Sequence, residues 1–515
     1  MASDPRSPMA LAAALALLAL GLVLGLVLGS GLASAAKPAR TLPLHATRGA
    51  DPAVVDARGR EVLLRGVNVN QLGDYYQGNP DLETVVPLRR GDFARIARIG
   101  FNSVRLVINW SRLEPERGKL SSRYIGRIRW AIRTARSFGL YVVLDMHQDA
   151  WAKHIATPPG EVCAPGSEPA IGWDGAPRWA TITDGLPTCR FGLRELSPAV
   201  GQAWQSFWND RAGIQTALVR TWGKLARRFA ANPTVAGYDL INEPNPGLLA
   251  GVTDATALAS FYGRAIEAIR EGERSRKRGF GHVVFFEPSV VWSAASTSPI
   301  PPPSFTADRN VVFAPHIYAE SISRVPIERA FDFAEAAAAT YGVTVWSGEW
   351  GYFGEPQDDR ERITRYAAAE DEHLYGGAWW SWKQACGDPH VIQHPGAEPQ
   401  PISPSLNRYS CPAERSLGVP KPFKRVLSRP SVRAAPGELR ELTSDPWARE
   451  LSLAGVAGPG RSCGLRVFFP SGRGRPRVEG HNLRRVRIRR VLGDWSVRGC
   501  VEGRYSLRLK ASSGR

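Results

Sequence analysis

Short apolar runs alternate with amphipathic segments over most of the chain. The runs have the β-branched character of buried strands, and they predict eight strands at residues 61–70, 103–108, 141–144, 235–240, 282–287, 311–318, 343–349 and 376–382. Between them, apolar residues at helical spacing predict helices, among them 92–99, 121–138, 203–229, 255–270, 328–341 and 360–375. Because strand and helix alternate, the strands should run parallel, and eight repeats close as a (β/α)₈ TIM barrel, an α/β fold.

Polar side chains follow several of these strands at the point where each strand ends. They are Arg105, His147, Asn242, Glu243, His316, Tyr318, Glu349 and Trp382. In a barrel of this kind the carboxyl ends of all strands meet at one mouth, so residues far apart in sequence converge there. The pattern therefore predicts a functional site at the mouth.

A long insertion, residues 150–200, follows the third strand. It is rich in Pro, Gly and Trp, and it contains Cys163 and Cys189. Loops of this length inside compact domains are usually functional, so we expect a disulfide-tied wall or lid over the site. Its tryptophans either stack on sugar rings or form a small core of the loop itself.

The pattern of apolar and polar residues changes near Leu427. Beyond it, short runs without helical period alternate with Gly and Pro turns, which predicts a β-sandwich over residues 428–515 behind a catalytic barrel over residues 41–427. Residues 485–489 alternate strictly between Arg and an aliphatic residue, so their arginines should share one face. That face is either a solvated surface or a patch for anionic lipid head groups.

The charge is concentrated in this last segment. The formal net charge is +18, and residues 461–515 hold fifteen Lys or Arg against three acidic residues, an excess of twelve. An anionic-surface role and an Arg-rich composition without function both explain this excess.

The N-terminus carries an apolar run over residues 9–28, followed by small residues that resemble a signal peptidase site. We expect residues 1–36 to be a signal peptide, which makes the protein secreted and a nucleic-acid role unexpected. The run is also long enough to span a bilayer. An uncleaved anchor that tethers the enzyme to the outer face of the membrane is the alternative.

Six cysteines agree with export, because disulfides persist in oxidising compartments. The simplest of fifteen pairings joins near neighbours. These pairs are Cys163 with Cys189, Cys386 with Cys411, and Cys463 with Cys500. None has CxxC spacing, so we predict no metal site.

Two carboxylic acids at one mouth point to glycoside cleavage, because the chain has no metal motif, no Gly-rich phosphate loop and no Ser-His-Asp arrangement. Glu243 would act as acid/base, and Glu349 would attack the anomeric carbon as nucleophile. This chemistry needs no cofactor. Arg105, Tyr318 and a neighbouring histidine would keep Glu349 charged, and the proximity of that charge would keep Glu243 protonated.

The remaining mouth residues would bind the sugar. Asn242 would hydrogen-bond the 2-hydroxyl, Trp382 would form the floor of the sugar site, and His147 with Asp149 would bind outer hydroxyls.

The mouth residues, in their order along the chain, resemble the pattern of glycoside hydrolase family 5, whose members are retaining enzymes on a (β/α)₈ barrel. Residues 144–149 (LDMHQD) and 173–179 (WDGAPRW) are similar to the endoglycoceramidases and related glycolipid glycosidases within that family. The resemblance covers residues 62–427, and those enzymes also carry a C-terminal β-sandwich.

The resemblance implies hydrolysis of a β-glycosidic bond between a sugar and ceramide or a similar lipid. Endoglycoceramidases place a lysine after the first strand, whereas this chain has Asn70, Gln71 and Tyr75 there. Glucosylceramide, a galactosyl lipid and a steryl glucoside therefore all stay open as substrates.

Two other functions compete with a glycolipid hydrolase. One is an endo-β-glucanase that acts on polysaccharide, and the other is a non-catalytic glycan- or membrane-binding protein. The intact pair Glu243 and Glu349 argues against the second. Peripheral contact with an anionic membrane through the basic C-terminal domain is compatible with each of them.

Overall fold

The computed structural model of the protein describes residues 40–470, 472 and 474–512. The expected signal peptide, residues 1–36, lies outside them. Within this part of the chain, no helix combines the length and the apolar character that crossing a bilayer requires.

The chain begins with three short antiparallel strands, β1 (Leu44–Ala46), β2 (Val54–Asp56) and β3 (Arg60–Glu61). The first strand expected from the sequence, residues 61–70, is thus divided in two. Its beginning is β3, and its end is β4 (Arg65–Val69), the first barrel strand. Periodicity could not find the break, because every residue from 60 to 72 is buried.

The barrel contains the eight parallel strands that the sequence predicts. After β4 they are β5 (Ser103–Asn109), β6 (Tyr141–His147), β7 (Val235–Asp239), β8 (Val283–Phe286), β9 (Val311–Phe313), β10 (Trp346–Trp350) and β11 (Gly376–Trp379). Their order in the sheet is β10-β11-β4-β5-β6-β7-β8-β9, and a bridge between Phe313 and Val345 joins its two ends. The (β/α)₈ prediction is confirmed.

The helices surround this barrel. They are α1 (Arg90–Ile99), α2 (Trp110–Leu113), α3 (Ser122–Ser137), α4 (Pro198–Trp208), α5 (Ile214–Phe229), α6 (Val252–Arg274), α7 (Val291–Ala295), α8 (Ile327–Tyr341), α9 (Asp359–Glu372), α10 (Pro389–Ile392) and α11 (Lys421–Leu427). The single helix expected over residues 203–229 is wrong. It divides into α4 and α5 because Asp210, Ala212 and Gly213 adopt left-handed backbone conformations.

The C-terminal strands form an antiparallel sheet domain, as the sequence predicts. A small hairpin, β12 (Arg408–Ser410) with β13 (Arg415–Gly418), precedes β14 (Ser431–Pro436), β15 (Glu438–Asp445), β16 (Glu450–Val456), β17 (Ser462–Phe469), β18 (Arg477–Val491) and β19 (Asp494–Lys510). The sheet order is β1-β2-β3-β14-β17-β19-β16-β15, and β18 pairs with β19. The N-terminal strands thus belong to this sheet through the pairing of β3 with β14.

The sheet covers the amino end of the barrel, opposite the expected site. Arg65, the first residue of β4, forms an ion pair with Asp371 at 2.6 Å, and Arg429 pairs with Glu370 at 2.7 Å. Between sheet and barrel, an apolar cluster includes Leu44, Tyr141 and Ala434. The sheet consequently leaves the carboxyl ends of the barrel strands uncovered.

The three disulfides pair as the sequence predicts, with Cys163–Cys189, Cys386–Cys411 and Cys463–Cys500 bonded. The first closes part of the insertion, which packs on the barrel mouth. Trp151 is buried against Trp204 of α4, and Trp179 packs edge-on against Trp110 at 5.0 Å, so both belong to the protein core. Trp173 faces His390 at 5.0 Å, close to the predicted site.

Candidate active site

The two predicted catalytic carboxylates lie next to each other at the carboxyl end of the barrel. Glu243 follows β7, and Glu349 lies near the end of β10. One carboxylate oxygen of each lies within 4.8 Å of the other, and both side chains are largely buried. This short separation matches a retaining glycosidase rather than an inverting one, in which about 6.5–9.5 Å separates the two carboxyl groups.

The backbone at Glu243 is strained. Its φ is 37°, in the left-handed region that residues other than Gly rarely adopt. The Glu243 backbone N–H donates to Glu287 Oε2 at 2.8 Å, and Gln148 Nε2 donates to the Glu243 carbonyl at 3.1 Å. Such strain persists where surrounding bonds fix it, as is common at active sites.

Arg105 organises the base of the site. Its guanidinium is fully buried and contacts four carboxylates at 2.7–3.0 Å, which belong to Asp145, Asp239, Glu287 and Glu349. One cation among several acids holds them close together, and the acids in turn fix the guanidinium in place.

Glu349 is held on both oxygens. Arg105 donates to Oε1 at 2.7 Å, and the Tyr318 hydroxyl donates to Oε2 at 2.8 Å. The sequence places these two residues beside Glu349, and the structure brings them there. Together they fix the orientation of the Glu349 carboxylate.

His316 lies between the two glutamates. Its Nδ1 is 2.9 Å from Glu243 Oε1 and 3.5 Å from Glu349 Oε2, and its Nε2 is 3.2 Å from Glu287 Oε2. Burial opposes the charged imidazole, but Glu287, Glu349 and Glu243 outweigh it and raise the pKa of His316 well above its usual value. His316 therefore carries a proton that faces Glu243.

The pKa shifts of Glu349 and Glu243 are opposite to those expected from the sequence. Burial raises the pKa of Glu349, and the nearby His316 and Arg105 offset it only in part. Burial also disfavours the charged form of Glu243, but the His316 hydrogen bond and charge, with Arg194, lower the pKa of Glu243. The hydrogen bond between His316 Nδ1 and Glu243 Oε1 thus favours a protonated imidazole beside a charged carboxylate.

Arg194, from the insertion, is a site residue that the sequence pattern did not indicate. Its guanidinium is 2.8 Å from Asp149 Oδ1, 3.5 Å from Glu243 Oε2 and 4.3 Å from the centre of the Trp173 ring. Because Arg194 does not follow a barrel strand, the search for polar residues at strand ends could not find it.

Removing this cation should change the pH dependence of catalysis. In Arg194→Gln, we expect the pKa of Glu243 to rise, because a positive charge 3.5 Å away favours the carboxylate. A general acid works while protonated, so the alkaline limb of kcat/KM against pH should move to higher pH.

Arg194→Lys is the matched variant, since it retains the charge and should move the limb less. Arg117→Gln, an exposed arginine that is also stacked on a tryptophan, Trp179 at 5.4 Å, is the control outside the site. An unmoved alkaline limb in Arg194→Gln would contradict this interpretation.

Polar and aromatic side chains cluster around Asp149 and Trp380. The His147 ring stacks on Trp380 with 5.1 Å between ring centroids, and the His390 ring lies 5.3 Å from Trp380. His390 Nε2 is 3.2 Å from Asp149 Oδ2. Although burial opposes the charged ring, Asp388 and Asp149 raise the pKa of His390 to about 9. His147 and Asp149 thus lie together as expected, with Trp380 and His390 as additional members.

Trp382, expected as the floor of the sugar site, does not reach it. Its side chain is fully buried, and its indole N–H donates to Asp92 Oδ1 on α1 at 3.1 Å. The regular strand ends at Trp379, so the chain beyond it no longer follows the alternation that would place Trp382 inward. Trp380 instead lies among the site residues, stacked on the His147 ring.

Asn242 lies beside Glu243, and both ends of its amide have partners. Arg105 donates to its Oδ1 at 2.9 Å, and its Nδ2 donates to the Gln148 carbonyl at 3.1 Å. The amide is therefore fixed next to Glu243, where the sequence places it.

Within the described part of the chain, two groups of donors have a geometry that could hold a cation. The donor atoms of Glu243, His316 and Glu349 lie within 4.8 Å of one another, as do those of His147, Asp149 and Asp174. Members of both groups already contact internal cations, Arg105 at Glu349 and Arg194 at Asp149. The site therefore has its positive charge built in, and the expected lack of a metal stays a prediction.

Comparison with known proteins identifies relatives of this arrangement. The family model for cellulase (glycosyl hydrolase family 5) matches residues 55–386. A crystal structure of endogalactoceramidase superimposes with a TM-score of 0.84 and 44% sequence identity, covering 90% of this chain and 99% of that one.

Curated relatives match over shorter stretches. Endoglycoceramidase I of Rhodococcus hoagii (strain 103S) is 32% identical over 277 residues, which cover 52% of this chain and 51% of that protein. Endoglycoceramidase of Cyanea nozakii is 26% identical over 294 residues, 50% of this chain and 54% of that protein. The chain thus spans about half the length of these curated relatives.

Proposed function

Because the chain belongs to glycosyl hydrolase family 5, we propose that it is a retaining β-glycosidase that cleaves the bond between a glycan and a lipid such as ceramide. In this proposal Glu349 is the nucleophile and Glu243 the acid/base. Arg105 and Tyr318 hold Glu349 in position, Asn242 binds the 2-hydroxyl, and His147, Asp149 and Trp380 contact the sugar.

The reaction proceeds by double displacement. Glu349 attacks the anomeric carbon and forms a glycosyl-enzyme, while Glu243 protonates the departing lipid oxygen. The proton comes to Glu243 Oε1 from His316 Nδ1, 2.9 Å away. Glu243 then removes a proton from water, which hydrolyses the intermediate and regenerates Glu349.

The proposal that the leaving group is a lipid rests on one observation. Loops on the Glu243 side of the mouth expose large aliphatic side chains, among them Leu193 and Leu196, which flank Arg194, and Leu248 and Leu249 beyond Pro244. Each of these four leucines is at least 53% exposed. Glu243 faces the leaving group, so an apolar rim on its side suits a lipid better than a second sugar.

The same geometry explains how binding would prepare the acid. A lipid entering past Leu193 and Leu196 passes Arg194, the cation that favours the charged form of Glu243. Displacing this guanidinium, and excluding water around Glu243, both favour the protonated form. Binding of the substrate would thus raise the pKa of Glu243, which must be protonated when the leaving group departs.

The sugar next to the scissile bond is proposed to be galactose. The relative named endogalactoceramidase is 44% identical over nearly its whole length. After β4, where endoglycoceramidases place a lysine, this chain has Asn70, Gln71 and Tyr75, and the Gln71 side chain donates to the Lys383 carbonyl at 2.6 Å. Lys383 itself pairs with Asp92 at 2.9 Å.

Incubation with galactosylceramide, glucosylceramide, a steryl glucoside and carboxymethyl cellulose tests the proposal. We expect free ceramide and an intact sugar from galactosylceramide, identified by chromatography and mass spectrometry. Shortened polysaccharide with untouched glycolipids would instead assign an endo-β-glucanase, the activity that the family name cellulase suggests.

We also propose that the basic C-terminal domain contacts anionic membranes. Strand β18 pairs on one side only, and most of its arginines, including Arg484 and Arg485, are exposed. Arg484→Glu with Arg485→Glu should weaken sedimentation with phosphatidylglycerol vesicles severalfold, and added salt should weaken the wild type likewise. Binding that neither change affects would exclude this contact.

Export completes the proposal. The three disulfides fit an oxidising compartment. We propose a secreted enzyme or one tethered to the outer face of the membrane, and N-terminal sequencing of the exported protein distinguishes the two.

A further inference from the structure

Three strands of the C-terminal sheet bring arginines next to each other. In the register of the sheet, Arg498 of β19 lies directly opposite Arg466 of β17 and also opposite Arg487 of β18. Directly opposed residues share one face of a sheet, and like charges in such positions repel each other. The row Arg466, Arg498 and Arg487 is thus unfavourable in the protein alone.

A fourth cation joins the row where the sheet meets the barrel. Arg433 of β14 lines the same cavity as Arg466 and Arg498, and its guanidinium lies 5.0 Å from the centre of the Phe468 ring. It also donates to the backbone carbonyl of Gly100. Arg433 is therefore fixed in place.

Nearby carboxylates compensate this group only in part: Asp494 favours the charged form of Arg433 and Asp56 that of Arg466, yet the pKa of each arginine stays below its ordinary value. Over residues 40–470, 472 and 474–512, Arg433, Arg466 and Arg498 take part in none of the ion pairs. The neighbouring acid Asp56 is bound to Arg60, whose Nε donates to it at 2.9 Å. The buried Arg466 Nε has no hydrogen-bond partner. Buried charges in proteins are normally fully paired, so these partly compensated donors favour a further anionic partner.

The arginines face a cavity of about 110 Å³ between sheet and barrel. Its walls include Phe101, Phe138, Phe468 and Trp495. The space is sufficient for a small ion, and the aromatic walls exclude water from one side of it. Guanidinium donors in such surroundings bind oxyanions through short, charge-assisted hydrogen bonds.

The pKa values of Arg433 and Arg466 agree with a site that favours an anion. Burial, with repulsion from Arg466 and Arg65, lowers the pKa of Arg433 to about 9. Burial, with repulsion from Arg60, lowers the pKa of Arg466 to about 10. A bound anion would reverse both effects.

We propose that Arg433, Arg466 and Arg498 form a binding site for a tetrahedral oxyanion, either free phosphate or the phosphate of a lipid head group. The site lies at the amino end of the barrel, on the opposite side from Glu243 and Glu349. It is independent of the glycosidase function proposed above.

Isothermal titration with inorganic phosphate at constant ionic strength tests the site. The wild type should bind one phosphate, and Arg466→Met should weaken binding at least about tenfold, because two charge-assisted hydrogen bonds are lost. Arg498→Met, at the open edge of the cavity, provides a second variant. Arg508→Met is the matched control on the same strand, since Arg508 is 3.3 Å from its partner Glu450.

Thermal unfolding separates binding from a structural role. Without phosphate, Arg466→Met should unfold at the same or a higher temperature than the wild type, because an unpaired buried charge is removed. With phosphate, the wild type and Arg508→Met should gain stability, and Arg466→Met should not. Absence of phosphate binding, or equal affinity in all variants, would overturn the proposal.

Vesicles identify the source of the oxyanion. If a lipid head group is the ligand, sedimentation with phosphatidylglycerol vesicles should decrease in Arg466→Met and in the presence of free phosphate. If free phosphate is the ligand, vesicle binding of Arg466→Met should equal that of the wild type while its phosphate affinity is lost. Phosphatidylcholine vesicles provide the uncharged comparison.

Discussion

Replacing Glu349 with glutamine should reduce kcat/KM on galactosylceramide by about 10⁴-fold or more, because the covalent intermediate can no longer form. The substitution retains the shape of the side chain and leaves Arg105 with three carboxylate partners, Asp145, Asp239 and Glu287. The fold should therefore persist, with circular dichroism and an unfolding temperature close to those of the wild type. Turnover is measured as released ceramide.

Glu320→Gln is the matched control. Glu320 lies in the loop beyond β9 and pairs with Arg365 at 2.9 Å, outside the site, so its substitution should leave turnover unchanged. Mass spectrometry with a 2-deoxy-2-fluoro galactoside should detect a covalent adduct on Glu349 in the wild type and none in Glu349→Gln. A folded Glu349→Gln protein with wild-type turnover would exclude Glu349 as nucleophile, and an inactive wild type would favour a non-catalytic binding protein.

The sequence indicates the barrel because its strands are buried and its helices amphipathic, so local pattern and global fold agree. The same reasoning finds Glu243 and Glu349, since each lies at the end of a run that predicts a buried strand. It also finds Arg105 and Tyr318, whose distances to Glu349 of 2.7 and 2.8 Å depend only on the closure of the barrel.

The pattern fails where the chain leaves regular structure. Trp380 and Trp382 are two residues apart, so a continuing strand would place both side chains on the same face of the sheet. Because β11 ends at Trp379, this alternation stops, and Trp380 rather than Trp382 faces the site. Arg194 and His390 lie in segments without periodicity, and each is brought to the site by tertiary packing, Arg194 against Trp173 at 4.3 Å and His390 against Asp149 at 3.2 Å. No local signal specifies contacts of this kind.

Long-range pairing explains two further differences. Strands β1 to β3 join the C-terminal sheet through the pairing of β3 with β14, more than three hundred residues later, where Glu61 lies opposite Ala435. The order of the pKa values of Glu243 and Glu349 depends on His316 and Arg194, which come from other parts of the chain. The sequence identifies the two carboxylates, but the charged groups around them come together only in the folded protein.

Glu243→Ala should separate the two halves of the reaction. A lipid alkoxide leaves only when it is protonated, so kcat/KM on galactosylceramide should fall by about 10²–10⁴-fold. A dinitrophenyl galactoside needs no acid for its leaving group, so Glu349 should still be glycosylated rapidly. The second step lacks its base, and dinitrophenol should appear as a burst equal to the enzyme concentration, followed by slow turnover.

Azide provides the decisive comparison, because it attacks the glycosyl-enzyme without a general base. It should restore steady-state turnover of the dinitrophenyl substrate by Glu243→Ala, with a β-galactosyl azide as product, and it should leave Glu349→Gln inactive. The alkaline limb of the pH profile should also be lost in Glu243→Ala, since no proton then passes from His316 across the 2.9 Å hydrogen bond. If Glu243→Ala lost the same factor on both substrates and did not respond to azide, the acid/base role would belong to another residue. His316, which carries the nearest proton, would be the first to substitute.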